Sequence, residues 1–377
     1  LFFLGKRYGG VYDFGAFFAP LFYSDMMGLG DISRVIDQRL FYLALALCFF
    51  GLSIDRYPRL SQSRGWTWFG RGLAAVGLIL AGGLYLHVDR QELAKEAYRK
   101  TLLQEQRRYA DTPAVQVLHY AFDLQFTAKG APLEARAELK IRNPHEAPLD
   151  TLVFTLNPGL ELRSVLDGQG RKMTWTRGHA VISILAGDLL SRDSVAIVTF
   201  VYDGDIDRQG IYLMRDRARL RKGRWPFIKG DLTAWIRDDS AFLPPRSRWY
   251  PNPGVDYGHD GAPPLSFATA DIAISVPEGL EAITQGKPAG TDSLGSRVRF
   301  NWKVEHPVSQ FSLNVGEYER FEAQIHGIDC ALYIHPAHRR QVLFFEEAKE
   351  QVLEVLGQAL EAIEQELGLA YPYPRLS

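Results

Sequence analysis

A zinc hydrolase site carried on one helix needs two histidines a turn apart, with a glutamate beside the first to act as base, the pattern His-Glu-x-x-His. The chain holds one His-Glu pair, His145–Glu146, and Leu149 stands where the second histidine belongs. Pro144 and Pro148 bracket the pair and exclude a helix there. His335 and His338 are three apart, but Pro336 lies between them, so they read as a solvated turn rather than metal ligands. Asp238 and Asp239 are a candidate carboxylate pair. Adjacent side chains in extended chain point apart, which rules out shared acid–base work. The basic run from Arg215 to Trp225, "RDRARLRKGRW", could meet phosphate or an anionic lipid surface. Asp216 interrupts it, and the run reads as an exposed loop between strands. Neither the phosphate-cradling GxxxxGK[ST] loop nor the Gly-x-Ser-x-Gly elbow occurs. The chain's own residues therefore assemble no catalytic, cofactor-binding or metal site.

Composition narrows the class. The 377 residues are 46% hydrophobic with a net charge of −1, which gives no basic surface for nucleic acid. The two cysteines, Cys48 and Cys330, lie in segments too different to pair, so they carry no redox signal. These averages conceal a division. Residues 1–88 are aromatic and apolar, and residues 89–377 alternate like a soluble β-rich protein.

Fifteen uncharged residues separate Arg39 from Asp55, and seventeen separate Arg71 from Asp89. Spanning a bilayer takes about 20 apolar residues, range roughly 17–25. The second run suffices, and the first does so if Arg39 and Arg56 snorkel to the interface. Residues 40–88 thus read as two transmembrane helices with a basic loop 55–71, and the aromatic stretch 1–39 as an interfacial segment. That first stretch lacks the ordered parts of a signal peptide. Arg56, Arg59, Arg64 and Arg71 against Asp55 assign the loop to the cytoplasm, whereas Arg90, Lys95, Arg99 and Lys100 vote the other way.

Residues 89–111 mix charge with Leu93, Ala97, Leu102 and Leu103 and predict a helical stalk. From Val115 the period becomes two. About ten strands follow, including "LEARAELKIRN", "SVAIVTFVYDG", "FATADIAISVPEG" and "RVRFNWKVE". Residues 112–338 therefore predict a β-sandwich or saddle. In 339–377, Ala348, Val352, Val355, Ala359, Ile363 and Leu367 fall at helical spacing and Gly368 stops the helix. The expected fold class is mixed: membrane α plus mostly β, with a long C-terminal helix.

The block "AVQVLHYAFDLQFTAKGAPLEARAELKIRNPHEAPLDTLVFTLNPGLEL", the turn "RSRWYPNP", and "VRFNWKVEHPVSQFSLNVGEYE" resemble, in that order, the N-terminal β-domain of aminopeptidase N-like zinc metallopeptidases. The helix 340–367 and "GLAYPYPRLS" resemble the opening of that family's catalytic domain. The resemblance covers roughly residues 112–377. It implies peptide hydrolysis in which zinc polarises the carbonyl and activates water, with the motif glutamate as base. The motif falls beyond Ser377, so no ligand carries over and zinc is expected only in an absent catalytic domain. The family places a Gln or Glu near the substrate's amino terminus, and Phe242 stands about there in "DDSAFLPPRSRWYP".

The region before it, "FYSDMMGLGD" through "RLFYLALALCFFGLSIDR", is similar to the end of bacterial ABC-type exporter permeases that carry a peptidase-like domain. Together these resemblances imply an internal fragment of a multi-pass bacterial inner-membrane protein with its soluble domain on the outer face. The implied partners are membrane lipid, a peptide substrate and an ABC-type ATPase subunit, with no nucleic acid. The alternative is a membrane-anchored binding or transport-accessory module with an inactive peptidase-like domain. An adhesion-like sandwich on a stalk would need neither the closing helix nor "YPYPRLS".

Overall fold

The structure, a computed structural model, describes residues 11, 32–57, 64–127, 132–211, 234–256, 266–325, 327–336, 345–373 and 375–376. Most of the expected interfacial segment 1–39, the basic run from Arg215 to Trp225, Arg59 and His338 lie outside the described residues. The chain falls into two units, one ending at Thr101 and the next beginning at Leu102.

The first unit is built from α1 (Ser33–Arg56) and most of α2 (Arg64–Arg108). Both are long and apolar enough to cross a membrane. The fifteen-residue apolar run is only the centre of α1, which has 24 residues. Residues 64–71, read from their charges as loop, are already helical. Charged residues at helix ends do not stop a helix.

The two helices run antiparallel and meet through small side chains. A Cβ on Gly51 would lie 2.5 Å from the Ala74 nitrogen and the Gly70 oxygen, and one on Gly77 would lie 2.5 Å from the Cys48 nitrogen. Ala44, Ala74 and Ala81 are buried in the same seam. The large side chains face outward instead, with Leu43, Phe49, Phe50, Val76, Leu78 and Ile79 all exposed. Close backbone approach through glycine and alanine, with bulky apolar residues outside, is how helices pack where the surroundings are as apolar as leucine.

The second unit opens with strands β1 (Gln116–Phe126), β2 (Leu133–Arg142), β3 (Leu149–Thr155), β4 (Leu160–Asp167), β5 (Trp175–Arg177), β6 (Val181–Leu190) and β7 (Val195–Gly204). Next come β8 (Trp235–Ile236), β9 (Ala241–Leu243), β10 (Asn252–Pro253), β11 (Ala268–Pro277), β12 (Glu281–Thr284), β13 (Lys287–Leu294) and β14 (Arg297–Val308). The last are β15 (Leu313–Gly316), β16 (Glu319–Ile325), β17 (Ile328–Ile334) and, after α3 (Phe345–Leu367), β18 (Arg375–Leu376). A seven-stranded sheet runs β13-β14-β11-β1-β2-β7-β4. Two four-stranded sheets, β10-β3-β6-β5 and β12-β15-β9-β8, share one core with it. A three-stranded sheet, β16-β17-β18, carries α3 through Leu353, Leu356 and Leu360.

Alternation explains the layering. In β2, Leu133, Ala135, Ala137, Leu139 and Ile141 are buried, and the residues between them are not. Phe154 of β3 meets Phe200 of β7 with ring centroids 4.9 Å apart, joining two sheets across the core. Trp302 of β14 donates its indole N–H to the Ala282 carbonyl at the start of the third sheet (3.1 Å). The eighteen described strands exceed the ten expected because several are two to four residues long, too short to show a period. "FSLNVGEYERFE" divides into β15 and β16 rather than forming one strand.

Among the described residues, the β-rich core buries one phenol without a hydrogen bond. The hydroxyl of Tyr202 is buried without a hydrogen bond, and burial raises its pKa far beyond the ordinary phenolic value. Removing such a group relieves a desolvation cost without losing a bond. Tyr202→Phe is therefore expected to leave the unit as stable or more stable, by up to about 1 kcal/mol, in urea denaturation followed by fluorescence. A loss of stability would show that the hydroxyl is satisfied.

Candidate functional site

The segment Trp235–Asp256 gathers the functional candidates. It forms the hairpin β8–β9, a short 3-10 turn at Pro245–Ser247, and the stretch Arg248–Asp256. Arg248 adopts the left-handed conformation at φ 55°. A non-glycine residue holds that conformation only when its surroundings fix it. Here they do. The guanidinium grips both oxygens of Asp256, with Nε–Oδ2 at 2.6 Å, and donates to Asn252 Oδ1 at 2.8 Å. The Arg248 carbonyl accepts from the Asn157 backbone N–H at 2.8 Å.

The next two residues anchor the turn in the core. Trp249 Nε1 donates to the Phe311 carbonyl (3.2 Å), and the Phe311 N–H donates back to the Tyr250 hydroxyl (3.2 Å). Tyr120 donates to the Pro251 carbonyl (3.3 Å). Tyr120, Phe122, Trp249, Tyr250 and Phe311 form a mutual aromatic cluster. Burial raises the pKa values of Tyr120 and Tyr250, so both stay protonated at neutral pH. The arginine is paired with Asp256 and the tyrosines are neutral. This turn is a packed wall held by hydrogen bonds and aromatic contacts.

Asn157 locks the wall from behind. Its Oδ1 accepts from the N–H groups of Gly159 (2.9 Å) and Asp207 (2.8 Å), and its Nδ2 donates to the carbonyls of Ser247 (2.7 Å) and Asp207 (3.2 Å). The last turn of α2 adds a second lock. Glu105, a buried carboxylate, accepts from the N–H groups of Ala180 (3.2 Å) and Val181 (2.9 Å) at the β5–β6 turn. Gln106 Oε1 accepts from the Asp256 N–H (3.1 Å). Sequence reasoning missed all three residues. The "NPG" at 157–159 marks Asn157 as a turn residue, but nothing local marks Glu105 or Gln106.

Phe242 lies on the opposite face of its sheet from the core. Register places Trp235, Phe242, Asn314 and Ile283 in one row across β8, β9, β15 and β12. The Trp235 and Phe242 rings lie 5.0 Å apart. Trp235 Nε1 donates to Ser240 Oγ at 3.3 Å. Trp235 and Ile283 of this row are buried, Phe242 is half-buried, and Asn314 is its polar member.

The other candidates lie apart from it. Asp238 and Asp239 are exposed at the β8–β9 tip, and the Asp239 carboxylate accepts from Ser240 Oγ at 3.0 Å. His145 bonds through Nε2 to the Ala114 carbonyl (2.9 Å), and Glu146 meets Arg192 (3.3 Å). Cys48 and Cys330 are buried and unpaired by disulfide, and burial raises the Cys330 thiol. A catalytic zinc needs three protein donors on one centre. Among the described residues, no group of three or more His, Cys, Asp or Glu could hold a metal ion. The described residues do not fit zinc.

Comparison with known proteins returns no matching family model and no matching curated protein. Among solved structures, the chain is similar to the M1 zinc metallopeptidase of Deinococcus radiodurans, at 17% identity and TM-score 0.45, over 58% of this chain and 47% of that one. A single-residue mutant of that protein bound to a Tyr-Ser-Ala substrate aligns at 16% identity and TM-score 0.44, over 58% of this chain and 46% of that one. The chain thus matches just under half the length of these structures.

Proposed function

We propose that the chain is the non-catalytic portion of a membrane-bound zinc metallopeptidase, attached to a permease-like membrane region. The observation that carries this reading is the crossover β17–α3–β18. Strand β18 pairs parallel with β17, Asp329 opposite Arg375 and Cys330 opposite Leu376. A helix returning a strand to lie parallel beside its predecessor is how an α/β layer begins. It follows sheets that are otherwise antiparallel except for the β1–β11 pair. Helix α3 keeps Val355, Ile363 and Leu367 exposed, and Leu369 just beyond it is exposed too. Under this reading a downstream catalytic domain covers that stripe and supplies the zinc ligands, while the wall at Trp235–Asp256 bounds the cleft. The outward leucines and phenylalanines of α1 and α2 support membrane spans. The reading further proposes the β-rich unit on the outer face and an ABC-type ATPase as partner of the permease-like region.

A second reading rests on Phe242. An apolar ring stands about where the resemblance puts the Gln or Glu that would meet a peptide amino terminus, which favours a membrane-anchored binding or transport-accessory module with an inactive peptidase-like domain.

Metal content and hydrolysis separate the two. The 377-residue chain, purified without chelator, is expected to carry only substoichiometric zinc and to leave an aminoacyl reporter uncleaved. The full reading frame, extended past Ser377, is expected to bind zinc and cleave a peptide. One equivalent of zinc on this chain alone would refute the assignment. A full frame that binds peptide yet holds no zinc would establish the accessory module instead.

A further inference from the structure

We propose that Arg56, Arg64, Trp68 and Arg71, at one end of the helical hairpin, bind the phosphate of an anionic phospholipid. The proposal rests on reading α1 and α2 as membrane spans. Arg64, Trp68 and Arg71 stand at i, i+4 and i+7 of α2 and share one stripe of its surface. Trp68 is 70% exposed, with Arg64 and Arg71 exposed on either side of it. Beside this stripe, the Trp66 and Phe69 rings meet edge to face at 5.7 Å and are both exposed. Indole and guanidinium at one level of a helix match the headgroup layer, where an amphipathic ring and a phosphate lie side by side.

Among the described residues, the charge at this end does not balance. The described residues at this end include three guanidiniums, Arg56, Arg64 and Arg71, and one carboxylate, Asp55. Asp55 is shared. Arg71 Nε approaches it at 3.1 Å and Arg56 Nε at 3.8 Å, while the two arginine side chains stay 59% and 85% exposed. Cations at an apolar boundary need a counter-anion, and a lipid phosphate is the one a bilayer provides at that depth. The opposite end of the hairpin differs. There Asp37 and Asp89 are mixed with Arg39 and Arg90, and Asp37 lies 3.8 Å from His87 Nε2.

The test uses the full chain in phosphatidylcholine vesicles containing a fixed fraction of brominated phosphatidylglycerol or brominated phosphatidylcholine, which quench nearby tryptophans. Stronger quenching by the glycerol lipid is expected for the wild type and is expected to fade with added salt. Each arginine removed should lower the preference roughly fivefold, so R64Q/R71Q should quench equally with both lipids. Arg64→Lys should keep the preference, which separates lost charge from lost fold. Equal quenching in the wild type, or an undiminished preference in R64Q/R71Q, would overturn the lipid site. Alkaline carbonate extraction of the same vesicles tests the underlying reading. Release of the chain overturns membrane insertion and the lipid site together, whereas a retained chain without lipid preference overturns the lipid site alone.

Discussion

Asn157→Ala will lower the unfolding free energy of the β-rich unit by about 4 kcal/mol, the sum expected when several buried backbone groups lose their partners at about 1–3 kcal/mol each. The side chain is 1% exposed in relative terms and makes four bonds, all to backbone. Alanine fits the space but offers neither donor nor acceptor. The N–H groups of Gly159 and Asp207 and the carbonyls of Ser247 and Asp207 then stay buried with less than their bonding capacity. The loss reaches the wall directly, because Ser247 precedes Arg248 and its left-handed conformation. Asn157→Asp should be nearly as harmful, since it keeps the acceptor, removes the donor and buries a charge. Urea denaturation followed by tryptophan fluorescence reads both, because Trp249 is fully buried. A loss below about 1 kcal/mol for alanine would mean that the turn is held by its aromatic anchors alone.

Gly77→Leu is expected to pry the helical hairpin apart, while Gly82→Leu on the same helix leaves it intact. At Gly77 a Cβ would lie 2.5 Å from the Cys48 nitrogen and 2.7 Å from the Ala44 oxygen, both backbone atoms that cannot rotate away. At Gly82 nothing lies within 4 Å. Overpacking a tight contact costs about 1–3 kcal/mol, and more where only backbone can yield. Cys48 reports the opening, since it is buried in the same seam. Every ~1.4 kcal/mol of opening raises its alkylation by a membrane-permeant maleimide about tenfold. Mass spectrometry separates it from Cys330, which is buried in the other unit. Equal labelling of the two variants would mean that the helices part without regard to the seam.

The strands that were legible in the sequence have one wet face and one dry face. "LEARAELKIRN" alternates because β2 has the core on one side and water on the other, and its buried residues follow directly. Strand β13 is the opposite case. All eight of its residues are exposed, so no alternation marks it, and Pro288 and Gly290 bracket a bulge at the sheet edge. The helices were visible as apolar runs, yet Gly77 and Gly82 look alike in sequence and differ only through the partner helix. At the candidate site, the place of Phe242 was legible, but its apposition to Trp235 was not. Asn157, Glu105 and Gln106 escaped notice for a physical reason. A polar side chain that bonds distant backbone leaves no local trace of those bonds, and apart from Gly159 beside Asn157 the partners lie 50 to 150 positions away.

The parallel pairing of β1 with β11 sets the order in which this chain can fold as it is made. His119 lies beside Thr269, 150 positions later, and the pair is joined by a 2.8 Å side-chain bond. Strands β1, β2, β7 and β4 can assemble once residue 204 has left the ribosome, but the far edge of β1 then waits for β11. At about 5–20 residues per second, the wait lasts several seconds. During that interval β1 presents unpaired N–H and C=O groups beside Tyr120, Phe122 and Leu124, a template for pairing with another nascent chain. Contacts this distant in sequence form slowly even in the finished chain. Synthesis of this protein therefore leaves one edge of β1 open until its partner strand emerges.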